Sequence, residues 1–167
     1  MHIYTGNGKG KTTAATGLAL RAAGAGKRVL FAQFMKSGTS SEQTAMMKFS
    51  DSIILRWYGV GGFIKERVSQ DQVDSIQKGL KEVGDLMMSG IFELVILDES
   101  ITCLKHNLIA VEQLLTLINN RPSRTEIVLT GRDAPKELVD AADLVTEMME
   151  IKHYYNKGIS ARRGIEF

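Results

Sequence analysis

The stretch from Thr5 to Thr13, T-G-N-G-K-G-K-T-T, constrains this chain more than any other part of it. His2, Ile3 and Tyr4 lead into it as a strand, and the alanine-rich run from Ala14 to Ala25 follows as a helix. A glycine turn between a strand and a helix leaves the helix's first N–H groups unpaired. Those amides, with the helix dipole, form a site for phosphate. Gly6, Gly8 and Gly10 allow the loop to curl its amides inward. Lys11 adds a charge that can reach the phosphates, and the Thr12 hydroxyl is placed to ligate Mg²⁺. The usual pattern, G-x-x-x-x-G-K-[ST], has glycine where this chain has Thr5. Either Thr5 fills that first slot or the loop closes one residue shorter, from Gly6.

The remaining elements follow from apolar periodicity and its punctuation. Lys27–Met35 reads as a buried strand, and Ser40 or Ser41 as the cap of a short helix through Glu42–Phe49. Ser52–Trp57 is a strand, and Tyr58–Phe63 (Y-G-V-G-G-F) combines glycines with large apolar side chains, which is unusual in a plain connector. Val73, Ile76, Leu80, Val83 and Met87 recur at helical spacing within Ser69–Ser89, with Ser69 as a candidate cap. Phe92–Leu97 is a continuous apolar run closed by Asp98-Glu99, the pattern of a parallel strand buried on both faces. A helix carrying Val111, Leu114, Leu115 and Ile118 follows, then a strand Glu126–Thr130, a helix Pro135–Ala142 and a last strand Leu144–Ile151. The segment from Lys152 to Phe167 is basic and glycine-punctuated, without a clear pattern.

Strands alternating with helices predict an α/β fold with a parallel central sheet and helices on both faces. Ligands in such sheets bind at the carboxyl ends of the strands. The glycine loop, Lys36, Asp98-Glu99 and Gly131-Arg132 all fall at such ends and predict one converging site. Asp98 and Glu99 are candidates to hold Mg²⁺ or order its water shell opposite Thr12. Arg132 can clamp phosphate oxygens in bidentate fashion. These residues specify an ATP or GTP site with Mg²⁺, not a reaction. No Ser-His-Asp set is present, and His2, His106 and His153 lack metal-ligand spacing.

Length, composition and charge are those of an ordinary globular domain. The 167 residues predict one domain, 1–167, and a net charge of +2 gives no electrostatic case for nucleic acid. Cys103 stands alone and reads as a small core or surface residue, fitting a reducing compartment. Met1 leads directly into the first strand without a signal peptide, and no apolar run approaches a membrane span. The expected location is the cytoplasm.

The strings Y-T-G-N-G-K-G-K-T-T-A-A, A-Q-F-M-K, G-V-G-G-F, V-I-L-D-E, N-R-P, L-T-G-R and K-H-Y-Y-N-K-G-I-S-A-R-R-G-I-E-F occur in that order. Together they resemble the ATP:cob(I)alamin adenosyltransferases of the corrinoid-biosynthesis type, over nearly the whole chain. The resemblance implies a RecA-like phosphate-loop (P-loop NTPase) fold, usually dimeric. It also implies a reaction in which a cobalt(I) corrinoid attacks the 5′ carbon of ATP and releases triphosphate. Carried over by position, Asn7, Gly8, Lys9, Gly10, Lys11, Thr12 and Thr13 hold the triphosphate, with Thr12 and Glu99 at the metal. Phe63 matches an apolar residue set against the lower face of the corrin ring, where it keeps an axial ligand off cobalt and eases reduction of cobalt(II). An electron donor of the flavodoxin or other flavoprotein kind is implied as partner. Two departures stand out: Lys65 replaces a tryptophan of some relatives, and an amino-terminal extension that many relatives carry does not precede the first strand. Two other readings of the residues are a phosphate-loop NTPase or small-molecule kinase, and a nucleotide- or corrinoid-binding module without turnover.

Overall fold

A computed structural model describes residues 1–37, 40–60 and 68–166. Its centre is one six-stranded sheet in the order β3-β2-β4-β5-β1-β6. The strands are β1 (His2–Thr5), β2 (Val29–Phe34), β3 (Ile53–Tyr58), β4 (Leu94–Asp98), β5 (Glu126–Thr130) and β6 (Leu144–Glu147). Every pairing is parallel, so all carboxyl ends lie along one edge of the sheet. The helices are α1 (Lys11–Gly24), α2 (Ser41–Met46), α3 (Gln70–Met88), α4 (Ser100–Lys105), α5 (Val111–Asn119) and α6 (Lys136–Ala141).

The two sheet faces are covered differently. On one face, Ala15, Ala19 and Ala22 of α1 and Met46 of α2 pack on Phe31, Ile53, Ile96 and Val128. Small alanine side chains let α1 lie close over the central strands. On the other face, Ile76, Leu80, Val83 and Met87 of α3 join Leu114, Leu117 and Ile118 of α5 against Leu30, Phe34, Val95 and Leu97. This second face carries the larger apolar layer, and α3 approaches closely enough that Gly79 lies under the Tyr58 ring.

Two sequence-based boundaries need correction, and one helix was not foreseen. Helix α1 begins at Lys11, not Ala14, so the loop's lysine and both threonines belong to its first turn. The last strand ends at Glu147 rather than Ile151: the Met148 amide still donates to the Thr5 carbonyl at 2.8 Å, but the Met148 carbonyl then accepts from the Gly8 amide of the turning loop instead of a strand. Helix α4 was not expected, since Ser100–Lys105 is too short for a periodic signature. Ser69 caps α3 as expected, its side chain accepting from the Gln72 amide, and Cys103 is buried.

Candidate functional site

Side chains on a strand alternate between faces, and that alternation decides what meets at the carboxyl edge. On β4, Leu94 and Ile96 face α1, so Asp98 continues the same side. On β2, Val29 and Phe31 face α1, and Gln33 follows; on β5, Val128 does, and Thr130 follows. The register sets Gln33 beside Asp98 and Leu97 beside Leu129, which brings Thr130 to Asp98 from the other side. Gln33, Asp98 and Thr130 thus form a fully buried polar row beneath the start of α1.

Asp98 is the hub of that row. Its Oδ1 accepts from the Thr12 hydroxyl at 2.9 Å and the Thr130 hydroxyl at 2.7 Å. Its Oδ2 accepts from Gln33 Nε2 at 3.0 Å and lies 3.7 Å from Lys36 Nζ. Gln33 in turn accepts from Gln43 at 2.7 Å, whose own oxygen accepts from the Ser40 amide at 3.0 Å. Lys36 also pairs with Glu42 at 2.9 Å. Although burial works against its charge, Asp98 and Glu42 hold the Lys36 ammonium above the ordinary lysine range.

The glycine loop rests on the chain that leaves β6. A side chain at Gly6, where φ is +96°, would strike the Met148 carbonyl at 2.5 Å; the Gly8 amide donates to that carbonyl at 2.6 Å. Thr5, the last residue of β1, accepts through its hydroxyl from the Ala134 amide at 3.2 Å. Lys11 reaches into the curl, donating to the Gly6 carbonyl at 2.6 Å and the Gly8 carbonyl at 2.8 Å. Only 8 % of Lys11 is exposed. Burial lowers its pKa, Glu99 and Asp98 oppose that shift, and Arg132 adds to it. Asn7 and Thr13 are exposed, and Lys9 turns away from the curl toward Ile165 and Glu166.

At five strand ends the first residue past the strand has positive φ: Gly6, Met35, Gly59, Glu99 and Gly131. Met35 and Glu99 hold this conformation without being glycine, at a cost on the order of 1 kcal/mol or more each. Glu99 is fixed there by its amide, which donates to Thr130 Oγ1 at 2.9 Å, and by its carboxylate, which accepts from Thr102 at 2.5 Å. Arg132 is exposed beside this corner, its amide donating to Thr102 at 3.4 Å, and its charge is felt at Lys11.

Lys11, Thr12, Asp98, Glu99, Lys36 and Arg132 therefore gather at one edge, as the motifs predicted. Phe63 lies outside the described residues, as does Lys65. Sequence reasoning missed Gln33, Gln43, Thr130 and Thr102. The signal for Gln33 and Thr130 was present in strand alternation, which set them on Asp98's face. The oxygen donors suit Mg²⁺. Among the described residues no three His, Cys, Asp or Glu side chains converge on a metal position.

The family model of the ATP:corrinoid adenosyltransferase BtuR/CobO/CobP matches residues 1–167. The chain belongs to this family. A corrinoid adenosyltransferase of Pseudomonas aeruginosa is 34% identical over 99% of this chain and 82% of its own length. The corrinoid adenosyltransferase CobA of Salmonella typhimurium is 31% identical over 99% and 84%, and that of Escherichia coli K12 is 27% identical over the same shares. No helix among the described residues is long and apolar enough to cross a membrane.

Proposed function

We propose that the Gly6–Thr13 loop holds the triphosphate of ATP while a cobalt(I) corrinoid displaces it from the 5′ carbon. Membership of the family makes the chain an ATP:corrinoid adenosyltransferase, with ATP and the corrinoid as its small-molecule substrates. In the reaction cobalt(I) donates an electron pair to C5′ to form the cobalt–carbon bond, the C5′–O bond breaks, and its bonding pair leaves on triphosphate. No protein nucleophile takes part, which agrees with a site built of amides, hydroxyls, ammonium groups and carboxylates. The observation that carries this reading is Lys11 bonded to two carbonyls of its own loop, with Thr12 hydroxyl-bonded to buried Asp98.

Negative charge grows on the leaving oxygen, so preorganised donors act mainly on the transition state. On this proposal Lys11 moves from loop carbonyls to phosphate oxygens, and Arg132 closes from the β5 corner. Thr12 and Glu99 hold Mg²⁺. Asp98, whose Oδ1 already accepts two hydrogen bonds, keeps the Thr12 hydroxyl aimed. Mg²⁺ supplies charge neutralisation on the triphosphate. Phe63 shields the lower corrin face, a single-electron donor of the flavoprotein class reduces cobalt(II), and the chain works as a homodimer.

The test is anaerobic incubation with MgATP and chemically reduced cobalamin, followed by absorbance and product analysis. Adenosylated corrinoid and triphosphate are expected in equal amounts, and no triphosphate without corrinoid. Phosphate release without corrinoid supports an ordinary NTPase and overturns the proposal. Lys11→Ala is expected to slow adenosylation about 10²–10³-fold.

A further inference from the structure

The segment that leaves β6 meets the phosphate loop twice. At its start, the Met148 carbonyl accepts from the Gly8 amide at 2.6 Å. At its end, Lys9 Nζ donates to the Ile165 carbonyl at 2.7 Å and to Glu166 Oε1 at 3.3 Å. Consecutive loop residues, 8 and 9, therefore anchor both ends of residues 148–166. The far anchor is braced from within the segment. Glu166 accepts from the Arg162 amide at 2.7 Å and from its guanidinium at 2.9 and 3.2 Å. Arg162 in turn stacks over Tyr154 at 4.7 Å, where the short helical turn Tyr154–Lys157 begins.

We propose that Lys9 is a positioning residue, latching the carboxy-terminal segment to the phosphate loop so that triphosphate binding and the ordering of that segment are coupled. The side chain of Lys9 is aimed at Ile165 and Glu166 while that of Lys11 fills the curl, so the two lysines divide the work. A ligand that fixes the loop backbone fixes the point to which the segment is tied, and by linkage an ordered segment favours the ligand equally. The latch itself stands on the contacts above; its coupling to ligand rests on the loop being the triphosphate site.

Limited trypsin digestion, read by mass spectrometry at Lys157, Arg162 and Arg163, tests both parts on the whole chain. Without ligand, Lys9→Met is expected to speed cleavage at these sites about two- to fivefold, the range of an exposed charged contact. Lys9→Arg restores the slow rate. In the wild type, tripolyphosphate slows cleavage; in Lys9→Met it does so less. KM for ATP in Lys9→Met rises about as much as protection falls, with the change chiefly on KM rather than kcat. Digestion of Lys9→Met at the wild-type rate, or failure of Lys9→Arg to restore protection, overturns the latch. Calorimetry with tripolyphosphate separates the remaining failures. Heat without protection of the segment overturns the coupling, whereas no heat removes the loop reading and the coupling with it.

Discussion

At Asp98 one carboxylate oxygen accepts from Thr12 and Thr130, and the other accepts from Gln33 and faces the Lys36 ammonium. An amide in its place turns a donor toward one of these donors, leaving buried polar atoms unpaired. Asp98→Asn is therefore expected to cost about 1–3 kcal/mol of stability by urea titration and to raise KM for MgATP. Glu99 separates stability from activity in the opposite sense. Glu99→Gly removes a side chain from a left-handed backbone position, so its melting temperature should not fall while adenosylation drops at least about tenfold. Lys11 gives a linkage with a definite sign. Burial holds its ligand-free pKa below the ordinary 10.5, and phosphate oxygens raise it. Between those two values the free lysine is partly neutral and the bound one charged, so binding takes up protons. Calorimetry of ATP binding in alkaline buffers of different ionisation enthalpy should show uptake growing as pH approaches 10.5; proton release would contradict the role given to Lys11. Lys11, Thr12 and Asp98 were legible because a motif names them. Gln33 and Thr130 were not, because each sits in an apolar run where one polar residue reads as noise until the strands are placed side by side.

Elements with a strong period were readable, and those set by their neighbours were not. Helix α3 shows its apolar stripe and its Ser69 cap openly, and β5 spans the residues its pattern predicted. Helix α4 depends instead on the left-handed turn at Glu99, which sends the chain straight from β4 into a helix without a capping side chain. The end of β6 is equally contextual: beyond Glu147 the Met148 carbonyl is taken by the Gly8 amide instead of a strand. Helix α3 also carries a close approach that periodicity does not reveal. A methyl group at Gly79 would lie 2.3 Å from the Tyr58 ring, which is itself packed 5.4 Å from Phe34. Gly79→Ala is expected to destabilise the fold by about 1–3 kcal/mol through overpacking. Equilibrium denaturation checks this, and an unchanged midpoint would show that Tyr58 swings aside freely.

The two layers over the sheet have separable tasks, because only the α1 layer continues into the site. α1 starts at Lys11, crosses β4 and β5 on three small buried alanines, and so fixes the height of the phosphate loop above Asp98. On the opposite face, α3 and α5 bury larger side chains, and α3 meets the carboxyl edge only at the outer strand β3, where Ser75 and Gln72 accept from the Gly59 and Val60 amides, not at Asp98. The layers should thus answer mutation differently. Ile76→Ala on α3 leaves a cavity and is expected to cost about 2–5 kcal/mol, yet at a temperature where it stays folded KM for ATP should match the wild type. Ala19→Leu on α1 forces the helix away from the sheet and is expected to cost about 1–3 kcal/mol. Because that displacement tilts the helix start, Thr12 loses its 2.9 Å contact with Asp98, and KM for ATP should rise even where the protein is fully folded. Denaturation curves and steady-state kinetics on the two variants measure both quantities. Equal KM values in Ala19→Leu and Ile76→Ala would mean that the loop finds its geometry from Met148 and the β6 side alone, without α1 as its ruler.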